Sequence, residues 1–300
     1  MRIFLTGATG CIGYHFARAA ISQGHELLCL RRRSSVSLFN SHEEKKVAWI
    51  TDGDALSDVV NDFQPEVLFH SAWEGVRNSR NDVRVQEENV MMSMRILKLY
   101  PYKQVIALGS QEEYGFYQGP VAETHPLLPF SAYGKAKVIC CQRIKEYCIE
   151  NGIEWQWIRV FTIYGEKQEG GLIPSLAHSC SQKLHSFDTT EGDQVYSYLY
   201  APDFARAMCR LVGVRGKSGI YNISQKSELH SNKEIIQKII NEIGGDMKIN
   251  YGAIPYRPRQ IMLMHGSTNK FEEAFGQIPH TEFSISIKNT IQSIFNHEGF

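Results

Sequence analysis

The eight residues from Thr6 to Gly13, TGATGCIG, constrain the fold more than any other stretch of this chain. They follow a short apolar run, Arg2 to Thr6, and precede an apolar-periodic segment, Cys11 to Gln23, that stops at Gly24. A glycine array between a strand and a helix suits a tight turn, close approach of the backbone to a pyrophosphate and close helix packing. The helix start adds N–H donors and the positive end of a dipole. Gly7, Gly10 and Gly13 are spaced GxxGxxG, not the commoner GxGxxG. A plain glycine-rich turn is the alternative, and the flanking strand and helix favour dinucleotide binding.

The rest of the first half repeats the same alternation. Short apolar runs predict strands over Glu26 to Leu30, Lys46 to Ile50, Val67 to His70, Gln104 to Leu108 and Trp155 to Val160. Helical patterns lie between them, over Leu56 to Phe63, Asp82 to Tyr100 and Ser131 to Asn151, each ending near Gly or Pro. This order predicts an α/β fold, a doubly wound parallel sheet with a smaller, interleaved C-terminal substrate region. Residues 1–166 form the expected dinucleotide-binding domain and 167–300 mainly the substrate-binding region. Within the latter, about 193–224 carries VYSYLY and GIYNIS, two strands expected to return to the first sheet.

Composition narrows the partners. The 300 residues are 43% hydrophobic, enough for a full core, and Lys plus Arg equals Asp plus Glu at 32 each. No bulk field attracts nucleic acid or an anionic membrane, so a small molecule is the expected partner. The start lacks a secretory pattern and no apolar run reaches a membrane span, which points to the cytoplasm. Seven cysteines show no CxxC, and the histidines at 70, 125, 178 and 185 have no metal-ligand spacing, so no metal is expected.

Two further features bear on chemistry. Arg31, Arg32 and Arg33 follow the second strand, where an acidic residue would hold a ribose 2′-hydroxyl; arginines there suit a 2′-phosphate and hence NADP, with a solvated basic loop as the alternative. In SAYGKAK, Tyr133 and Lys137 stand four apart in an expected helix, on one face. That spacing predicts an ammonium near the phenol, lowering its pKa for proton transfer.

Taken together, these motifs resemble the extended short-chain dehydrogenase/reductases, the NAD(P)-dependent nucleotide-sugar epimerase/dehydratase/reductase family. The resemblance runs nearly end to end. It takes in Gly53-Asp54, HSAW at 70–73, Asn89, GSQEEYG from Gly109, the Tyr133/Lys137 pair, RVFTIYG at 159–165, Asp203, GIYNIS and the late YRPRQ. It implies that Ser110, Tyr133 and Lys137 are catalytic, with Lys137 also bonding the nicotinamide ribose. It implies cofactor contacts from Gly7, Thr9, Gly10, Cys11, Ile12 and Gly13, from Arg31 and Arg32, and from Asp54 and Ala55. Ser71, Ala72, Trp73, Asn89, Tyr133, Lys137 and Phe161 complete that set. Implied substrate contacts are Ser110, Gln111, Glu112, Thr162, Tyr196 and Arg257, and the methionines at 91, 92 and 94 read as helix packing near a homodimer face.

Departures from the family pattern guide the reaction class. Glu112 stands where dehydratases carry a Glu, but Gln111 replaces the preceding Asp; Glu113 reads as a fold element. Thr162 replaces an Asn and Tyr196 an Arg, leaving Arg257 or Arg259 to carry a diphosphate or to lie free on the surface. The expected function is NADP-dependent reduction of a nucleotide-linked 4-keto-6-deoxyhexose. The alternative is a nucleotide-sugar 4-epimerase or 4,6-dehydratase with tightly bound NAD, and a dinucleotide-sensing regulator is a third class that the Tyr/Lys pair disfavours.

Overall fold

The structure, a computed structural model, describes residues 1–53, 55–226, 228–244 and 246–297. Among these, strands β1 (Arg2–Thr6), β2 (Glu26–Arg31), β3 (Val47–Thr51), β4 (Val67–His70) and β5 (Gln104–Ser110) alternate with helices. The helices are α1 (Cys11–Ser22), α2 (Ser41–Glu44), α3 (Leu56–Phe63) and α4 (Val83–Leu97). Then come β6 (Gly119–Val121), α5 (Ala132–Glu150), β7 (Glu154–Val160), β8 (Thr162–Tyr164), α6 (Leu172–Ser181), β9 (Ser186–Asp188), β10 (Val195–Tyr200), α7 (Ala201–Cys209) and β11 (Gly219–Ile223). The chain closes with β12 (Leu229–Ser231), α8 (Asn232–Ile243), β13 (Lys248–Asn250), β14 (Leu263–Gly266), α9 (Asn269–Phe275) and α10 (Phe283–His297).

The main sheet is parallel throughout, in the order β11-β7-β5-β4-β1-β2-β3. Its strands are buried on both faces, so they read as continuous apolar runs. On one face Phe16, Ala17 and Ala20 of α1 pack with Phe204 and Met208 of α7 and Phe271 of α9. On the other, Val90 and Ile96 of α4 meet Cys140, Ile144 and Cys148 of α5. Each fully buried apolar side chain of this size contributes about 1.5–3 kcal/mol. The order reverses between β1 and β4, and at such a switch point α/β folds bind ligands beyond the strands' carboxyl ends.

The two late strands part company. β11 pairs with β7 at the edge of the main sheet, residue Gly219 opposite Gln156. The expectation that VYSYLY also returns there is corrected: β10 pairs with β8, β12 and β14 in a second sheet. Its alternating Tyr196, Tyr198 and Tyr200 explain this. Tyr198 and Tyr200 pack against Tyr164, and Tyr164 against Phe283 of α10. This aromatic face belongs to a separate core formed with Ile235, Ile236 and Ile239 of α8. No helix among the described residues is long and apolar enough to cross a membrane.

Candidate active site

The glycine turn is built as its spacing requires. Gly7 adopts φ +81°, and a Cβ there would lie 2.7 Å from Ser71 Oγ. A Cβ on Gly13 would come 2.1 Å from the Gly7 carbonyl oxygen, so α1 can pack this closely only with glycine. Around Gly10, by contrast, the protein offers only an ordinary 3.5 Å contact. Gly10 caps α1 without a side-chain hydrogen bond and no acidic residue occupies the first turn, which leaves the helix start to an external anion. Thr9, Cys11 and Ile12 line this same turn. The residues therefore fit a dinucleotide's pyrophosphate.

The loop after β4 is fixed from α4. Three polar residues, Gln86, Asn89 and Ser93, share the buried face of α4 with Val90 and Ile96, and each serves the loop or strand opposite. Asn89 Oδ1 accepts from the Glu74 N–H at 2.8 Å, while its amide donates to Glu74 and Val85 carbonyls. Asn89, expected to touch the cofactor, is thus engaged in holding the loop. Gln86 accepts from Trp73 Nε1 at 2.8 Å. Ala72 N–H donates to Thr6 Oγ1 (3.2 Å), Thr6 Oγ1 to His70 Nδ1 (2.8 Å), and His70 Nε2 to Ser93 Oγ (2.8 Å). Burial, with Lys137 adding to it, holds His70 neutral by lowering its pKa to about 3. The chain of donors then runs in one direction, ending at the Asn89 carbonyl. Gln86 and Ser93 were missed in the sequence; polar residues at 86, 89 and 93 on an otherwise apolar stripe were the available signal.

Ser110 ends β5, opposite Val160 of β7, at the carboxyl edge of the sheet. It caps a single 3-10 turn, Gln111–Glu113, in which its hydroxyl accepts from the Glu112 N–H and its own N–H donates to Glu113. Glu113 is fully buried: Oε1 also accepts from Trp157 Nε1 at 2.9 Å and Oε2 from Arg159 Nε at 2.7 Å. Arg159 in turn donates to Tyr114 Oη. Gln111 accepts from Tyr117 Oη at 3.0 Å. Glu112 has both oxygens engaged, Oε1 by Arg80 Nη1 and Oε2 by Ser131 Oγ, each at 2.9 Å.

Helix α5 presents Tyr133, Lys137, Cys140, Ile144 and Cys148 on its buried stripe, so the spacing that packs the helix also aims the pair inward. Ser131 caps it through the Gly134 N–H at 3.0 Å. Lys137 Nζ donates to the Leu108 carbonyl at 2.7 Å and lies 3.6 Å from the Trp73 ring centre. Desolvation lowers its pKa to about 8. The expected lowering of the Tyr133 pKa by Lys137 is corrected. Burial raises it to about 12, the Ser110 hydrogen bond only partly opposing this. The lysine reaches back to β5 and stands 5.9 Å from the phenol ring centre.

Other expected residues are spread around this centre. The Arg31 guanidinium lies 4.9 Å from the Trp49 ring centre, and Arg32 faces Glu74 at 3.5 Å with both side chains about seven-tenths exposed. Ala55 begins the turn into α3, and Asp54 lies outside the described residues. Phe161 is buried against Gly266. Thr162, Tyr164, Tyr196 and Tyr198 help line a cavity of about 300 Å³. Tyr196 Oη donates to the Ile261 carbonyl and accepts from Gln260, while Arg257 is exposed nearby. Among the described residues no group of His, Cys, Asp and Glu could hold a metal ion.

Over the switch point lies a strap, residues 166–170. The Glu166 carbonyl accepts from Cys11 Sγ (3.4 Å) and His15 Nε2 (2.9 Å) of α1, and the Gly170 carbonyl from Arg77 Nη2 (2.9 Å) in the loop after β4. Tyr200 Oη donates to the Glu166 carboxylate.

A parallel sheet with a glycine turn at its switch point and a Ser/Tyr/Lys set beside it defines a dinucleotide-dependent enzyme. The chain belongs to the NAD dependent epimerase/dehydratase family, which it matches over residues 3–224. It is 27% identical, over 98% of this chain and 99% of the relative, to a putative UDP-glucose 4-epimerase of Methanocaldococcus jannaschii. It is 22% identical, over 89% of this chain and 100% of the relative, to a dTDP-6-deoxy-L-talose 4-dehydrogenase (NAD(+)) of Aggregatibacter actinomycetemcomitans. Its fold superposes with a TM-score of 0.86 on the UDP-glucuronic acid 4-epimerase of Bacillus cereus in complex with UDP-glucuronic acid and NAD. That match covers 99% of this chain and 100% of the other at 21% identity.

Proposed function

We propose that this chain is a nucleotide-sugar 4-epimerase that keeps NAD bound through turnover. The observation that carries the reading is the strap at 166–170, tied both to the glycine turn and to the loop after β4. On this reading the strap closes over a dinucleotide seated on the glycine turn and holds it there. An enzyme that takes a hydride from C4 and returns it gains from such retention, whereas one that consumes reductant must release cofactor every cycle. The relative named a putative UDP-glucose 4-epimerase, matched end to end, supports the same choice over the expected NADP-dependent reduction.

NAD, when bound, supplies the hydride acceptor and a positive ring charge. The chain's own residues do the rest. Ser110 holds the C4 oxygen. Tyr133 must be ionised to take the C4 proton as the 4-keto sugar forms, and in its protonated form it gives the proton back; the cofactor's ring charge would add to that of Lys137, 5.9 Å from the phenol ring centre, in favouring the ionised form. Dehydration is disfavoured because Glu112 has both oxygens engaged and Gln111 cannot titrate. The test is to identify the bound nucleotide by mass spectrometry in protein as isolated, then to incubate it with UDP-glucose. NAD near stoichiometric amounts and appearance of the C4 epimer are expected. Empty protein that consumes NADPH on added 4-keto sugars would replace the reading.

A second reading, NADPH-dependent reduction of a nucleotide-linked 4-keto-6-deoxyhexose, draws on the exposure of Arg32 and Arg33 at the end of β2. Neutralising Arg31 and Arg32 separates the two. If they serve a 2′-phosphate, NADP affinity falls about ten- to a hundredfold with NAD little changed, the worth of charge-assisted contacts of about 1.5–3 kcal/mol. Titration calorimetry with both nucleotides reads this, and equal affinities before and after would leave the arginines to their protein contacts, Arg31 with Trp49 and Arg32 with Glu74.

A further inference from the structure

We propose that Arg80 and Glu112 are positioning residues that hold Tyr133 and set how readily its phenol exchanges a proton. The chemical use of this pair rests on the epimerase reading, but the geometry is independent of it. Arg80 lies in the loop after β4, and its carbonyl accepts the Tyr133 N–H at 2.9 Å. Its guanidinium carbon is 5.7 Å from the Tyr133 ring centre. Nε donates to the Val76 carbonyl, and Nη1 donates to Glu112 Oε1 at 2.9 Å. Glu112 Oε2 accepts from Ser131 Oγ, which itself accepts the Gly134 N–H. The two residues and Ser131 thus enclose the first turn of the helix that carries the tyrosine.

Four charged groups face the phenol. Lys137 stands on its own helix, Glu112 and Glu113 on the turn after β5, and Arg80 on the loop after β4. Glu113 is neutralised by Arg159. After burial and the Ser110 hydrogen bond, the strongest remaining influences are Glu112, which opposes ionisation, and Arg80, which favours it. Because these two are paired with each other, removing either unbalances the field at the phenol in opposite directions. From the sequence, Glu112 is read as a substrate contact at the dehydratase Glu position, and Arg80 is not read at all.

The test needs no substrate. Protein carrying carbon-13 at tyrosine Cζ reports phenol ionisation by NMR, with the Tyr133 signal assigned by its loss in Tyr133→Phe. Glu112→Gln, nearly isosteric and still able to hydrogen-bond, is expected to move the Tyr133 midpoint down by about one pH unit, and Arg80→Met to move it upward, so that the phenol is less ionised than in the wild type at the same alkaline pH. Arg80→Lys, which keeps the charge, should stay near the wild type, as should the double variant. Superimposed midpoints, or shifts of the same sign in both single variants, would overturn the proposal. If Arg80→Met fails to fold, Glu112→Gln decides alone, with a downward shift required. Opposite shifts in a protein that is isolated without NAD and consumes NADPH on added 4-keto sugars would uphold this pair and refute the epimerase reading.

Discussion

Tyr133→Phe is expected to lower turnover by about 10²- to 10⁴-fold, the worth of a positioned general acid or base, while leaving the fold and the bound NAD unchanged. The substitution removes one oxygen. The ring keeps its edge contact with Trp73, centroids 6.0 Å apart, and the backbone keeps its bond to Arg80. The phenol is buried and its pKa is raised to about 12, so in the free protein it is a protonated group with Ser110 as hydrogen-bond partner. Steady-state rates with one nucleotide sugar, set beside bound NAD per chain, measure the effect. Turnover within a few-fold of the wild type would remove Tyr133 from the chemistry.

The second large effect is expected at the ion pair beneath Ser110. Glu113→Gln or Arg159→Met alone should cost about 3–5 kcal/mol, because each leaves the other charge uncompensated in the interior. Neither side chain is more than 2% exposed. The double variant Glu113→Gln/Arg159→Met should recover much of the loss, since two residues in direct contact are strongly coupled. Glu113 also accepts the Ser110 N–H at 2.9 Å, so turnover in the single variants should fall further than the unfolded fraction accounts for. Urea unfolding of the two singles and the double checks this. Single-variant losses below about 1 kcal/mol would mean that the interior relaxes to admit water.

The strands and helices around the cofactor turn were legible because parallel strands buried on both faces leave unbroken apolar runs between glycine and proline stops. The glycine turn was legible for a local reason as well: Gly7 turns with a positive φ, and Gly13 packs on the Gly7 carbonyl six residues back, although the Ser71 and Ala72 contacts that also crowd Gly7 come from far along the chain. What escaped the sequence is non-local. VYSYLY is visible as a strand, but its sheet is decided by Tyr164 and Phe283, far away in the chain. The i, i+4 spacing puts Tyr133 and Lys137 on one face, yet the lysine's long stem carries its charge to the Leu108 carbonyl, and burial outweighs it at the phenol. Arg80 sits in a loop with no motif of its own, so only the fold reveals that it meets Glu112. The arginines at the end of β2 show the converse: a legible motif whose partners, Trp49 and Glu74, come from other strands and loops.

The central claim is that hydride leaves C4 and returns to it on a cofactor that never departs. UDP-glucose carrying deuterium at C4 tests it most directly when given to the protein as isolated, with NMR and mass spectrometry following the label. The account expects the C4 epimer to form with deuterium still at C4 and no reduced nucleotide in solution. Deuterium recovered in released NADH or NADPH, with a 4-keto sugar as the product, would contradict it.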